Sequence, residues 1–350
     1  MRIAVDVMGG DHGCGVVIDG VKQALLALPK ITELHLVGDQ SEIKSALSQS
    51  RCADSRVHVH HASEVLTMQD KPAVAVRRKK DSSIVRAMEL VKAGKADAVI
   101  SPGNTGGILA AALFGLGRLP GIDRPGIATV IPAPENEFIL LDAGANLDCK
   151  PIHLVHYAVM GSIYARAILH CEKPRVGVLS VGTEDTKGNE LSLEAFKLCR
   201  QIDLNFIGNV EGYDLFKNRV DVVVCDGFVG NIVLKTIEGI AKGMMGWLKT
   251  ELMRNSKRKL GALLARNAFL TIKRRMDPDA YGGAPLLGLN GNVMKAHGSA
   301  KERAIMNAIR VTTETIQHNV NQVIVREAAL ANDRLARATS NPVTAGPVLA

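Results

Sequence analysis

The sequence predicts an α/β fold, a mostly parallel sheet with helices on both faces, and three observations carry that expectation. Short β-rich segments alternate with helical ones through most of the 350 residues. Several of these segments are near-continuous apolar runs, as in Val220-Asp221-Val222-Val223-Val224-Cys225, the pattern of a strand covered on both faces. Glycine and small polar residues follow one strand segment after another, and ligands of open α/β sheets gather at such strand ends.

Taken in order, strand patterns occupy residues 2–7, 33–37, 56–60, 97–100, 128–132, 138–142, 175–181, 205–208 and 220–225. Five of them run into polar glycine loops: Met8-Gly9-Gly10-Asp11-His12, Ser101-Pro102-Gly103-Asn104-Thr105-Gly106-Gly107, Asp142-Ala143-Gly144-Ala145-Asn146, the stretch 182–190, and Asp226-Gly227-Phe228-Val229-Gly230-Asn231. Placed together at one sheet edge, they would form a composite active site. From Ile232 to about Arg274, apolar residues recur at spacings of three and four, break at Arg254-Asn255-Ser256-Lys257 and resume, which resembles a helical hairpin. A glycine loop at 281–288, the stretch Ala296-His297-Gly298-Ser299 and a final helix from Lys301 to about Leu330 follow. The expected organisation is one catalytic α/β unit over residues 1–331, of one domain or two lobes, that includes the hairpin at 232–275. The tail 332–350 lacks apolar periodicity and is expected to be disordered.

Composition narrows the function. A formal charge of +8 favours acidic partners: phosphates, an acidic carrier protein or an anionic membrane surface. The run Arg77-Arg78-Lys79-Lys80 has the simpler reading of a solvated face. Aromatic residues make up only 3%, which disfavours single-stranded nucleic acid, a ligand held by stacking. The six cysteines are scattered without a C-x-x-C pair, so neither a zinc site nor a disulfide framework is indicated. The N-terminus enters a strand pattern directly, and no apolar run reaches the ~20 residues of a membrane span, so a cytoplasmic location is expected.

The stretch Ser101 to Gly107 lies between an apolar strand and a small-residue helix, so its backbone N–H groups and the helix N-terminus would favour an anion such as phosphate. The same geometry also serves merely to turn the chain. There is no G-x-x-x-x-G-K-[ST] loop, no G-x-G-x-x-G after the first strand, and no G-x-S-x-G elbow. His58 and His60 share a strand face without His61 or a matching carboxylate, so they read as surface histidines. Cys149 and Cys225 lack a neighbouring histidine and read as small buried hydrophobes. What remains is Lys187, with amide and hydroxyl donors in Asn104, Thr105, Asn146, Thr183 and Asn231. A fixed cation plus such donors stabilises phosphate and any oxyanion formed beside it.

Five stretches together resemble the PlsX family of bacterial acyl-ACP:phosphate acyltransferases: 8–11, 101–107, 141–151, 182–190 and 225–231, in order along a resemblance that runs from Met1 to about Gln317. Val7, where the family commonly has alanine, is a conservative departure. The resemblance implies that acyl-ACP and inorganic phosphate give acyl phosphate and acyl carrier protein (ACP), which supplies glycerophospholipid synthesis. It implies no cofactor, a homodimer, and a fold like isocitrate and isopropylmalate dehydrogenases and phosphotransacetylase. It implies that the protruding hairpin serves dimerisation and peripheral membrane contact, through Leu260, Leu263 and Leu264, and that the glycerol-3-phosphate acyltransferase downstream is a further partner. Under it Lys187 and Asn231 are the catalytic candidates, with Asp11 and His12 orienting phosphate or a proton. Ser101, Gly103, Asn104, Thr105, Gly106, Gly107, Asn146 and Thr183 would contact phosphate or substrate, and no metal is called for. The alternatives are a CoA-dependent phosphate acyltransferase, a membrane-associated scaffold and a dehydrogenase.

Overall fold

The computed structural model describes residues 1–67 and 69–340. The chain begins β1 (Arg2–Asp6), α1 (Gly13–Ala27), β2 (Glu33–Gly38), α2 (Gln40–Gln49), β3 (Val57–His61), α3 (Pro72–Arg78), α4 (Ser83–Lys92), β4 (Ala98–Ser101) and α5 (Thr105–Gly115). It continues β5 (Gly126–Ile127), β6 (Thr129–Pro132), β7 (Glu137–Leu141), α6 (Pro151–Ile168), β8 (Val176–Leu179), α7 (Glu190–Cys199), β9 (Phe206–Val210) and β10 (Val222–Val224). The helices α8 (Gly227–Leu252), α9 (Ser256–Leu264) and α10 (Arg266–Arg275) precede β11 (Ala284–Leu287), β12 (Asn292–Lys295), α11 (Glu302–Gln317) and α12 (Val320–Ser340).

The five glycine loops expected at one sheet edge lie on two sheets. A seven-stranded sheet has the order β3-β2-β1-β4-β12-β11-β5, and a five-stranded sheet the order β6-β7-β10-β8-β9. Pairing is parallel from β3 through β12 and from β7 through β9, and antiparallel where β11 joins β12 and β5 and where β6 joins β7. The division has a local cause: Gly126 and Ile127 pair with β11 in the first sheet, and from Thr129 the same extended chain pairs with β7 in the second. The loops after β1 and β4 therefore stand on one sheet, and those after β7, β8 and β10 on the other. β11 occupies part of the loop expected at 281–288, and β12, which was not expected, runs directly into the stretch Ala296-His297-Gly298-Ser299, which turns as a loop.

The two sheets share a core. One buried cluster joins Ile3, Val5 and Ile100 of the first sheet to Ile139, Leu141 and Val222 of the second. Helix α6, buried on nearly every face, packs on β7, β8 and β10 and against α11 and α12, while α11 packs on β4 and β12. α8 is different: only Gly227 and Gly230 in its first turn are buried, and Ile240, Met244 and Trp247 on its distal face are exposed. The hairpin expected from Ile232 thus begins at Gly227 as one helix of 26 residues, with α9 against it and α10 completing the return.

The final helix is two helices, broken at Asn319, whose φ of 50° is left-handed. The tail expected to be disordered from Asn332 is instead helical through Ser340. Ile324, Ala328, Ala331 and Leu335, spaced three and four apart, are buried; Asn332 meets His156 at 3.0 Å and donates to the Gly121 carbonyl at 2.9 Å. The rest of that tail, 341–350, lies outside the described residues. Leu335→Ala should lower stability by about 2 kcal/mol, the order for removing a buried leucine side chain, and shift the urea midpoint without changing its slope. An unchanged midpoint would mean that this turn of α12 does not pack.

Candidate functional site

The first wall of the site is built on a buried carboxylate. Asp6, at the end of β1, accepts the Ser101 hydroxyl at 2.6 Å and the Met8 N–H at 3.1 Å, and Ser83 also bonds it. Burial pushes its pKa up, against the pull of those donors. The Ser101 hydroxyl accepts from Gly103 N–H at 3.0 Å, so it locks the β4 loop onto β1. The two loops touch: a Cβ at Gly9 would lie 2.6 Å from Gly103 Cα, closer than any other residue permits. Asn104 then caps α5 by accepting the Gly107 N–H at 3.0 Å, and Thr105 and Gly106 at the helix start are half-buried. Ser101, expected to contact phosphate, is fully buried and commits its hydroxyl to this frame. Asp11 and His12 are exposed beside it, and the Asp11 N–H donates to the Gly298 carbonyl at 2.8 Å.

The second wall rests on another buried carboxylate, Asp142 at the end of β7. Five donors converge on it: the N–H groups of Ile127, Gly144, Ala145 and Asn146 and the Asn146 side-chain amide, at 2.7 to 3.0 Å. Burial raises its pKa and the donors oppose that shift. The Asn146 amide also donates to the Pro125 carbonyl at 2.6 Å and to Tyr157 at 2.9 Å, so its hydrogens are spent inside the protein rather than offered to substrate as expected. On this turn sits the start of α8. Gly227 N–H donates to the Asn146 carbonyl at 2.8 Å, Asp226 caps the helix through the Phe228 and Val229 N–H groups, and a Cβ at Gly230 would collide with the Asp142 carbonyl. Asn231 consequently stands exposed beside Gly144, where a Cβ would lie 3.3 Å from its own.

Lys187 belongs to the loop after β8, next to β10 in the same sheet. Its carbonyl accepts from the Ser180 hydroxyl at 3.0 Å and the Asn209 amide at 3.2 Å, which shapes the turn. The side chain is exposed, as is Thr183, and its ammonium has no ion pair among the described residues. The site residues expected from sequence therefore fall into two groups. Gly103, Asn104, Thr105, Gly106, Gly107, Asp11 and His12 belong to the first wall, and Thr183, Lys187, Asn146 and Asn231 to the second. One face of α8 reaches from the second wall toward the first: Asn231, Lys235, Glu238 and Lys242 follow at spacings of four, three and four. Lys235, Glu238 and Lys242 act electrostatically on His297, just beyond β12. β12 pairs with β4 and sets Lys295 opposite Ser101. Lys295 was not foreseen, because nothing in the sequence signals which strand lies beside β4.

Cys225 is buried as expected and His58 is exposed, whereas Cys149 is half-buried and His60 is half-buried against His35 rather than on the surface. Burial raises the thiol pKa of Cys225 and of Cys149, whose sulfur lies 3.7 Å from the Tyr157 hydroxyl; neither has a histidine partner. His58 and His60 share one face and pack against His35, whose Nδ1 is 2.9 Å from His60 Nε2. Among the described residues no group of His, Cys, Asp and Glu side chains is placed to hold a metal ion. Leu260, Leu263 and Leu264 are exposed on α9, beyond the far end of α8, a helix about 39 Å long at its ordinary rise per residue. Among the described residues no helix is long and apolar enough to cross a membrane.

A family model described as fatty acid synthesis protein matches residues 1–323. A protein of Pelotomaculum thermopropionicum named phosphate acyltransferase is 49% identical over 321 residues, 91% of this chain and 93% of that one. Among solved structures, a phosphotransacetylase from Streptococcus pyogenes superposes with a TM-score of 0.60 at 20% identity, over 90% of this chain and 94% of that chain. A 4-hydroxythreonine-4-phosphate dehydrogenase from Klebsiella pneumoniae gives 0.50 at 14%, over 90% and 98%. At such identities these two likenesses speak to the fold alone, and they agree with the α/β architecture expected.

The seat of α8 is testable by itself. Gly230→Ala should force the helix start off the Asp142 carbonyl and cost about 1–3 kcal/mol, the range for overpacking a tight contact, as read from the urea midpoint. A variant as stable as the parent would mean that the contact is relaxed in solution.

Proposed function

The chain belongs to the fatty acid synthesis protein family, and from that premise we propose that it is an acyl-ACP:phosphate acyltransferase which forms acyl phosphate by direct attack of phosphate on the thioester. Phosphate acyltransfer is the activity its relatives' name carries; the ACP donor and the direct mechanism are the finer part of the proposal. One observation supports direct attack most: the loops offer cations and N–H donors at strand ends, while of the cysteines near them Cys225 is buried and Cys149 half-buried, both with raised pKa values and no histidine base among the described residues. Phosphate is already a nucleophile, and a thiol of pKa about 8.5 is a tolerable leaving group, so the protein need only align the reactants and stabilise the oxyanion. A phosphate oxygen forms the new bond to the acyl carbon, the carbon–sulfur bond breaks, and the sulfur leaves as thiolate to take up a proton.

In this scheme Lys187 holds phosphate and offsets its charge. Asn231 donates to the thioester carbonyl, which becomes the oxyanion. At the α5 N-terminus Thr105 and Gly106 give backbone N–H contacts to phosphate, the Gly107 N–H being spent on the Asn104 cap; Thr183 adds a hydroxyl, and Asp11 and His12 orient phosphate or carry the proton. No step calls for a cofactor. For assembly, the exposed Ile240, Met244 and Trp247 of α8 suit a second copy of the chain. Leu260, Leu263 and Leu264, set among Lys257, Arg258, Lys259 and Arg266, suit an anionic bilayer surface on the cytoplasmic side, where a glycerol-3-phosphate acyltransferase would receive the product.

Thiol release should require phosphate and be faster from acyl-ACP than from acyl-CoA; preference for CoA would select the CoA-dependent enzyme, and no phosphate-dependent release at all would leave a scaffold or a dehydrogenase. Lys187→Ala should lower turnover by about two to three orders of magnitude, the effect of losing one preorganised charge stabiliser. Near-normal turnover in a folded variant would remove Lys187 from the mechanism. Leu263→Glu should abolish binding to anionic liposomes and spare activity on acyl-ACP in solution, whereas undiminished liposome binding would place the membrane contact elsewhere.

A further inference from the structure

A group of cations at the end of β12 has no role in the scheme above. Lys295 is half-buried at the carboxyl end of that strand, opposite Ser101, and the Ala296 N–H donates to the Ser101 carbonyl at 2.9 Å. Among the described residues its ammonium reaches only the carbonyl of the next residue, Ala296, at 3.5 Å, a weak contact for a group with three donors. Across from it, α8 presents Lys235 and Glu238, paired at 2.9 Å. His297 is exposed, with Nδ1 2.8 Å from the Ser299 hydroxyl, and it is acted on by Lys295, Lys235, Lys242 and Glu238. From the turn Pro278–Tyr281, Asp279 also faces His297, with Lys301 and Arg303 near it; Arg303 meets Asp277 at 3.4 Å. Positive charge is in surplus around His297: Lys235, Lys242, Lys295, Lys301 and Arg303 stand against Glu238, Asp277 and Asp279. Burial first, and then the neighbouring lysines, hold the pKa values of Lys295 and His297 down. An anion between them would remove the repulsion.

The position of this group matters as much as its charge. The Asp11 N–H donates to Gly298, one residue beyond His297, and Lys235 lies one helical turn beyond Asn231 on the same face of α8. The cations are therefore tied through Gly298 to the loop after β1 and through α8 to Asn231.

We infer that Lys295, Lys235 and His297 form a second phosphoryl-binding subsite, which holds either inorganic phosphate or the phosphodiester of the acyl donor's phosphopantetheine arm. The inference rests on the phosphate acyltransferase reading for its ligand and on the placement of the cations for its location. Donors of graded structure separate the two sources, since acyl-ACP carries the phosphodiester, acyl-CoA a diphosphate at the same place, and acyl-pantetheine neither.

With Lys295→Met and Lys235→Gln, a subsite for the phosphodiester raises KM for acyl-ACP and acyl-CoA at least tenfold and leaves acyl-pantetheine unchanged. A subsite for inorganic phosphate raises KM for phosphate with every donor instead. Lys295→Arg should restore most of the loss, which a mere packing defect would not allow. KM values for donor and phosphate that all stay within twofold of the parent would overturn the inference. A second measurement is independent of turnover: the His297 imidazole, titrated by NMR, should rise in pKa by about one unit on addition of inorganic phosphate or free phosphopantetheine, and should not respond in Lys295→Met. If the parent imidazole ignores both probes, the subsite is wrong even where acyl transfer is confirmed. If it responds in a protein that shows no acyl transfer, the subsite stands and the reaction assignment falls.

Discussion

The seat of α8 on the turn after β7 governs the rest of the cleft. Asp142 gathers five donors and holds residues 142–146 in a tight turn whose Asn146 carbonyl receives the first N–H of α8. Gly227 and Gly230 allow the helix start to come down onto that turn, since any side chain there meets the Asp142 carboxylate or carbonyl. The line on which α8 leaves the second sheet follows from this contact. So does the placing of Asn231 beside Gly144, and of Lys235, Glu238 and Lys242 toward the end of β12. Ile240, Met244 and Trp247 emerge on the distal face of the same helix, so one rigid element links the chemistry to the surface proposed for a second copy.

The two buried carboxylates play matched parts. Asp6 ties the β1 and β4 loops together through Ser101, and Asp142 ties the β7 turn to β5 through the Ile127 N–H. Neither faces substrate. Each draws the N–H groups of a glycine-rich turn inward, Gly144, Ala145 and Asn146 onto Asp142 and Met8 onto Asp6, and so fixes a turn that would otherwise sample many conformations; side chains and helix starts carried on a fixed turn stabilise developing charge without a reorganisation cost. That suits a reaction in which the attacking group is supplied by the substrate.

Much of this was legible in the sequence, and the gaps have physical reasons. Apolar runs such as residues 220–225 and 97–100 announce strands covered on both faces, and the glycine loops announce strand ends, because both signals are local. Pairing is not local. The strand pattern at 128–132 does not show that the two residues before it, Gly126 and Ile127, pair with β11 in one sheet while Thr129 to Pro132 pair with β7 in the other, and that change of sheet puts the five loops on two walls rather than one edge. β12 is only four residues long, with mixed polarity, and lies beside a strand nearly two hundred positions earlier, which left Lys295 without any signal. The α12 stripe continues through Ala328 and Ala331, whose small side chains barely mark a period, so the sequence does not announce the helical turns that follow. For Ser101 and Asn146 the residue type was informative and the direction was not: both are hydrogen-bonding hubs, turned inward.

The central claim is that phosphate attacks the bound thioester directly across the two walls. Rapid mixing of the enzyme, at substrate-like concentration, with acyl-ACP in the absence of phosphate tests it most directly, with released ACP thiol followed in the first turnover. Direct attack predicts no thiol until phosphate is added. A burst of about one thiol per active site without phosphate would reveal an acyl-enzyme and contradict the account.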